Sequence, residues 1–100
     1  VVRERVETAR ERQKQRFAGT NIYCNAMIPD NLLREYCRLE GATATLMQTT
    51  HERYSLSARA YCRLQRLALS AADLHGHDKI ERDDLATALQ FRSFESKYLQ

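Results

Sequence analysis

One hundred residues, 43% hydrophobic and 29% charged, suit one domain with one modest core. No apolar run approaches the length that crosses a bilayer, and the charged N-terminus is unlike a secretory signal. The expectation is a cytoplasmic chain with no membrane segment. It opens on Val1 rather than Met, as a fragment of a longer protein would. The net charge of +3 is localised: residues 1–16 hold six Arg/Lys against three Glu, and the remainder holds ten of each sign. Three cysteines, Cys24, Cys37 and Cys62, are an odd number at irregular spacing and fit reduced thiols better than a disulfide framework.

The first helix is expected from Val2 to Phe17. Val2, Val6, Ala9, Gln13 and Phe17 give a thin apolar stripe, suited to a helix lying over a partner. Arg3, Arg5, Arg10, Arg12 and Arg16 make it basic and are the candidate DNA contacts. Glu4, Glu7 and Glu11 are interleaved with them, so a solvated face laced with ion pairs is the simpler account. Gly19 is the expected end of this helix. An irregular apolar link, residues 22–28, leads to Pro29, whose fixed φ suits the start of a helix. Leu32, Leu33, Tyr36 and Cys37 then give a short second helix ending at Gly41. A third, from about Thr43 to Tyr54, carries Leu46, Met47 and Thr50 inward.

The fourth helix is the longest. Ser57 is placed to cap it, Gly76 to end it, and Ala60, Leu64, Leu67, Ala71 and Leu74 recur at three-and-four spacing. Arg59, Arg63 and Arg66 fall at i, i+4 and i+7 on another face. A cationic row that begins at a helix N-terminus opposes the macrodipole, which hints that Arg59 answers to something outside the helix. A nucleotide phosphate would suit its planar, always-charged fork. Arg63 and Arg66 could equally face solvent or pair with Glu35, Glu40 or Glu52. After the turn at residues 76–79, Ile80 is expected in the core. The last helix starts near Glu81–Arg82, with Asp83 and Asp84 favouring its positive end. Leu85, Ala88, Leu89 and Phe91 or Arg92 follow, and Phe94 and Tyr98 are offered as docking residues of the tail. The sum is an all-α domain, a small bundle of about five helices.

The catalytic inventory is nearly empty. There is no G-x-x-x-x-G-K-[ST] phosphate loop, no G-x-G-x-x-G and no C-x-x-C. His75, His77 and Asp78 carry donor atoms for a metal, but histidines also suit the negative end of a helix, and no metal site is assigned. His51 reads as exposed. Asp83 and Asp84, adjacent on a helix, point apart and read as capping residues rather than a catalytic pair.

Leu56-Ser57-Ala58-Arg59-Ala60-Tyr61-x-Arg63-Leu64, followed by Ala72-Asp73-Leu74-x-Gly76, closely resembles the C-terminal domain of magnesium-chelatase-like AAA+ ATPases of the ComM/YifB type. Val6-x-x-Ala9-Arg10-x-Arg12-Gln13-x-x-Arg16-Phe17 is similar to that family's first helix. Cys24 to Ile28, Tyr36-Cys37-x-Leu39, Asp84 to Arg92 and Lys97-Tyr98 extend the likeness over essentially the whole chain. The resemblance implies a helical lid whose Ser-x-Arg start carries the sensor 2 arginine, here Arg59, with Arg63 beside it as a second nucleotide contact. ATP and Mg2+ would be held mainly by an upstream core of the same chain, so the fragment alone should be inactive. It also implies a bacterial ring ATPase, expected as a hexamer, resembling helicases that drive DNA branch migration in natural transformation. Whether Arg59 would act on its own subunit's nucleotide or a neighbour's stays open. One departure stands out: where family members often read Arg-Thr, this chain has Leu69-Ser70. The alternatives are a stand-alone helical DNA-binding module and the lid of a magnesium-chelatase subunit.

Overall fold

The longest helix of the computed structural model, α4, runs from Ala58 to His75 and takes part in most of the packing between elements. The structure describes the backbone of residues 2–98 and the side chains of residues 3–91. In chain order the helices are α1 (Val2–Arg16), α2 (Leu33–Tyr36), α3 (Gly41–Tyr54), α4 and α5 (Arg82–Tyr98). Two 3-10 turns, Asn25–Met27 and Asp30–Leu32, lie between α1 and α2. The fold is all-α, with no strand among the described residues. No helix is long and apolar enough to cross a membrane among these residues. The Cα radius of gyration is 13.4 Å, close to the ~13 Å of a folded domain this long.

Both ends of α4 are set by local chemistry. Ser57, extended at φ −67° and ψ 163°, accepts the amide of Ala60 on its hydroxyl at 3.1 Å. Gly76, at φ +77°, closes the helix, donating its amide to Asp73 O while the His77 amide bonds Ala72 O. Between these ends Leu64, Ala68, Leu69, Ala71 and Ala72 are buried. α4 packs most extensively on α5, where Leu85 and Ala88 are buried, and next on α1, with Ala9 buried in it and Phe17 just after it. Ile28, Leu33, Cys37, Met47, Leu56 and Ile80 complete the core. Fully burying a side chain of Leu or Ile size stabilises by about 1.5–3 kcal/mol, so these contacts dominate.

The buried arc of α4 is wider than one apolar stripe and is rotated from the expected one. Leu74, read as a core residue, is 41% exposed, whereas Leu69 is buried at 4%. Gripping by α1 on one side and α5 on the other explains this, because two neighbours need more than one face. α2 is a single turn that stops at Cys37, short of Gly41. Gly41 instead opens α3, at φ +54°, receiving the chain from the extended Glu40. The glycine expected to end α2 belongs instead to the start of the next helix. His51 is not simply exposed: its half-buried ring meets Tyr61 edge-on with centroids 5.0 Å apart. Its Nδ1 atom has no hydrogen-bond partner among the described residues. Arg92, Phe94 and Tyr98, to which the sequence reading gave packing roles, lie outside the described side chains.

Candidate functional site

The turn into α4 presents Arg59. Ser55 adopts a left-handed conformation at φ 48°, Leu56 follows with only 7% exposure, and Ser57 caps the helix. Leu56 pins the turn to the core, and the His51–Tyr61 ring contact ties the first turns of α4 to the end of α3. Arg59 is therefore the second residue of a rigidly seated helix. Its side chain is exposed and makes no ion pair or hydrogen bond within the described residues. Arg63, one turn further on and also exposed, shares that side of the helix.

The third member of the row has a different job. Arg66 donates to Ile28 O through Nε at 3.0 Å and Nη2 at 2.8 Å, and Nη2 also bonds the Asp30 carboxylate. Arg66 is bonded to none of the acids expected for it among the described residues; Glu40 is paired with Lys79, at 3.0 Å. Arg66 thus pins the segment carrying both 3-10 turns onto α4.

The arginines of α1 divide in the same way. Arg16 binds both oxygens of Asp73, at 2.6 and 2.9 Å, and donates to Asn25 Oδ1 at 3.0 Å. The Asp73 side chain is wholly buried, and Asn25 Nδ2 bonds both Asp73 and the Ser70 hydroxyl, at 2.9 and 3.1 Å. Ser70, one of the two departures from the family pattern, thus joins the buried polar network, and Leu69, the other, joins the core. Arg12 covers the end of α4, donating to Gly76 O, His77 O and Asp78 Oδ1, each at 3.2 Å. Arg12 and Arg16 are taken up by the fold. Arg3, paired with Glu7 at 3.4 Å, and Arg5 and Arg10 remain at the surface. A hollow beside the end of α4 is lined by Glu4, Arg5, Thr8, Leu74 and His75. Arg5, Arg12 and Arg16 therefore gather at the C-terminal end of α4, while Arg59 occupies the other, roughly 24 Å away at 1.5 Å per residue.

A cluster that sequence spacing hid lies near the same C-terminal end. His75 Nδ1 is 2.6 Å from Asp84 Oδ1, and His77 Nδ1 is 3.1 and 2.9 Å from the two Asp84 oxygens. Asp84, completely buried, also accepts the Glu81 amide at 2.8 Å. That last bond is a helix N-cap interaction, as expected for the acidic first turn of α5. The hydrogen bond to Asp84 raises the pKa of His77 above the ordinary value of 6.5. Asp78, grouped with the two histidines by sequence, turns instead to Arg12. Asp84 takes its place, a partner seven and nine residues away that only the αL turn at Gly76 brings into reach.

Cys24, Cys37 and Cys62 are free thiols. Cys37 is buried, with its thiol 3.6 Å from Gln65 O, and burial pushes its pKa up to about 12. An inert, neutral thiol is what that environment favours.

The family model described as "Magnesium chelatase, subunit ChlI C-terminal" matches residues 1–92. Among curated proteins, "Uncharacterized protein YifB" of Escherichia coli is 34% identical over 95% of this chain and 18% of its own length. "Uncharacterized protein Rv2897c" of Mycobacterium tuberculosis is 38% identical over 91% of this chain and 18% of its own. "Competence protein ComM" of Haemophilus influenzae is 33% identical over 92% of this chain and 17% of its own. The chain thus spans less than a fifth of the length of these relatives. No solved structure matches it. On the family match over nearly its whole length, the chain belongs to the magnesium chelatase, subunit ChlI C-terminal family.

Proposed function

We propose that this domain is the helical lid of a chelatase-like AAA+ ATPase and that Arg59 contacts the nucleotide's terminal phosphate. The observation that carries the reading is the contrast within the arginines. Arg66, Arg16 and Arg12 are fastened to carbonyls and carboxylates of the fold, whereas Arg59 stands exposed on a seated helix start with no partner among the described residues. A guanidinium held there faces outward, toward whatever packs against the lid. Facing a nucleotide in a water-poor interface, it would stabilise the charge that develops on the transferring phosphoryl group. Arg63, one turn on, would add a second positive charge to the same face.

In this reading an upstream core of the parent chain holds ATP and Mg2+, and the subunits assemble into a cytoplasmic ring, most simply a hexamer. The resemblance to the ComM/YifB type points this reading to a DNA-handling motor of the helicase type, and one relative carries the name competence protein. The exposed Arg3, Arg5 and Arg10 of α1 offer the parent a modest basic strip for DNA.

ATP hydrolysis by the full-length parent, wild type against Arg59→Ala and with or without DNA, tests the proposal. Turnover should fall on the order of a hundredfold in the variant, with DNA stimulating the wild type. Normal hydrolysis by Arg59→Ala refutes the phosphate role. The second reading, a stand-alone DNA-binding module, is favoured instead if the 100-residue chain alone binds duplex DNA at physiological salt with a steep salt dependence.

A further inference from the structure

His75 is the last residue of α4, and Gly76 at φ +77° swings the chain so that His77 faces the same way. Both imidazoles then converge on Asp84 in the first turn of α5. One ligand atom from each of the three residues lies within 4.8 Å of the others. The carboxylate is aimed independently of the histidines, because the Glu81 amide holds Oδ2 at 2.8 Å. The rings stand 5.6 Å apart at 61°, splayed rather than stacked, so their nitrogens approach from separate directions. Glu81 adds a carboxylate oxygen 3.3 Å from His77 Nδ1.

We propose that His75, His77 and Asp84 form a binding site for a divalent transition-metal ion of the zinc class, with the Glu81 carboxylate or water completing the coordination. Capping α5 requires only one carboxylate oxygen and the Glu81 amide; it does not call for two imidazoles on the same group. Two nitrogens and one oxygen are the donor set that zinc-like ions accept, whereas magnesium and calcium take oxygen donors. Zinc bonds of about 2.0–2.1 Å put neighbouring tetrahedral ligands roughly 3.3 Å apart. The imidazole–carboxylate separations of 2.6–3.1 Å need to open by only a fraction of an ångström, and the widest ligand-atom separation, within 4.8 Å, has to close toward the same value. The histidine side chains, 33% and 26% exposed, can make that movement while buried Asp84 stays fixed, and they give the ion a path from solvent. The Glu81 amide serves as the outer-shell donor that orients a ligating carboxylate. The negative end of the α4 dipole also favours a cation at this point. A bound ion would fasten the end of α4 to the start of α5.

The test is calorimetric titration of the metal-stripped 100-residue chain with Zn2+, with Mg2+ in parallel. Melting curves and imidazole NMR signals would be recorded alongside. The proposal expects one Zn2+ per chain, a higher Tm with Zn2+, and shifts of the His75 and His77 signals while His51 stays still. His75→Ala and His77→Ala should each lower Zn2+ affinity by about tenfold or more, and His51→Ala should not. Asp84→Asn removes the α5 cap and can unfold the chain, so the histidine variants, checked for helicity, carry the decision. Absence of saturable Zn2+ binding overturns the proposal. So does affinity unchanged in both histidine variants, loss of binding in His51→Ala, or Mg2+ binding as tightly as Zn2+.

Discussion

Arg16→Met removes the guanidinium that holds Asp73 but keeps the aliphatic stem. Asp73 is wholly buried and accepts three hydrogen bonds, two from Arg16 and one from Asn25. After the substitution a buried carboxylate keeps only the Asn25 amide. Breaking a buried pair from one side costs about 3–5 kcal/mol. Arg16 itself is 19% exposed, so water can reach the vacated space, which puts the loss near the lower figure, about 3 kcal/mol. For a domain of this size that lowers Tm by roughly 12–24 °C. Urea titrations of Arg16→Met, Asp73→Asn and the double variant measure it, with the midpoint moving and the slope constant. Asp73→Asn should cost less, because the stranded Arg16 can turn to solvent. The double variant should be more stable than the two losses added together predict, by about 1–3 kcal/mol. Additive losses, or a loss below about 1 kcal/mol for Arg16→Met, would mean that the pair is not the clasp between α1 and α4.

Leu64→Ala empties the centre of α4, where Leu64 is 1% exposed, and should cost about 2–5 kcal/mol by urea titration; a cost under 1 kcal/mol would mean a looser core. Gly76→Ala meets no atom within 4 Å of the added Cβ, so the loss should be only the left-handed strain, about 1–2 kcal/mol, read as a lower Tm. Cys37 has its pKa raised by burial from 9.0 to about 12. The folded state therefore keeps the thiol neutral where the unfolded chain ionises. The stability it contributes is complete below pH 9 and declines as pH rises from there through about 12. Cys37→Ala should flatten that decline, and Cys37 should resist alkylation at mildly alkaline pH until the chain is unfolded, both measurable by mass spectrometry and alkaline melts.

Signals confined to a few neighbouring residues were readable in advance. Ser57, the α4 repeat and Gly76 each act within a turn or two, and the helix they bound is the one observed. The acidic first turn of α5 likewise declares itself locally, and Asp84 does accept the Glu81 amide. What escaped depends on distant partners. Asp73 lies 57 residues from Arg16, and nothing near it in the chain marks it as a buried anion rather than a helix surface residue. The Arg66–Asp30 pair and the Arg12 cover over the end of α4 are hidden for the same reason. Leu74 was misplaced because periodicity gives a stripe but not the direction from which neighbours press. Gly41 shows a subtler limit, since a glycine between two helices does not reveal whether it ends the first or opens the second. The histidine cluster fell between these cases: His75 and His77 were visible as a pair, but only the αL turn selects Asp84 over Asp78.

Arg59 carries the proposed function, and steady-state ATP turnover of the full-length parent carrying Arg59→Ala tests it. If Arg59 contacts the phosphate in the transition state, kcat falls on the order of a hundredfold while ATP affinity changes far less. The 100-residue chain with the same substitution keeps its Tm, because that side chain bonds to nothing among the described residues. Unchanged kcat in a correctly assembled parent would contradict the account and leave Arg59 as a surface residue without a role in hydrolysis.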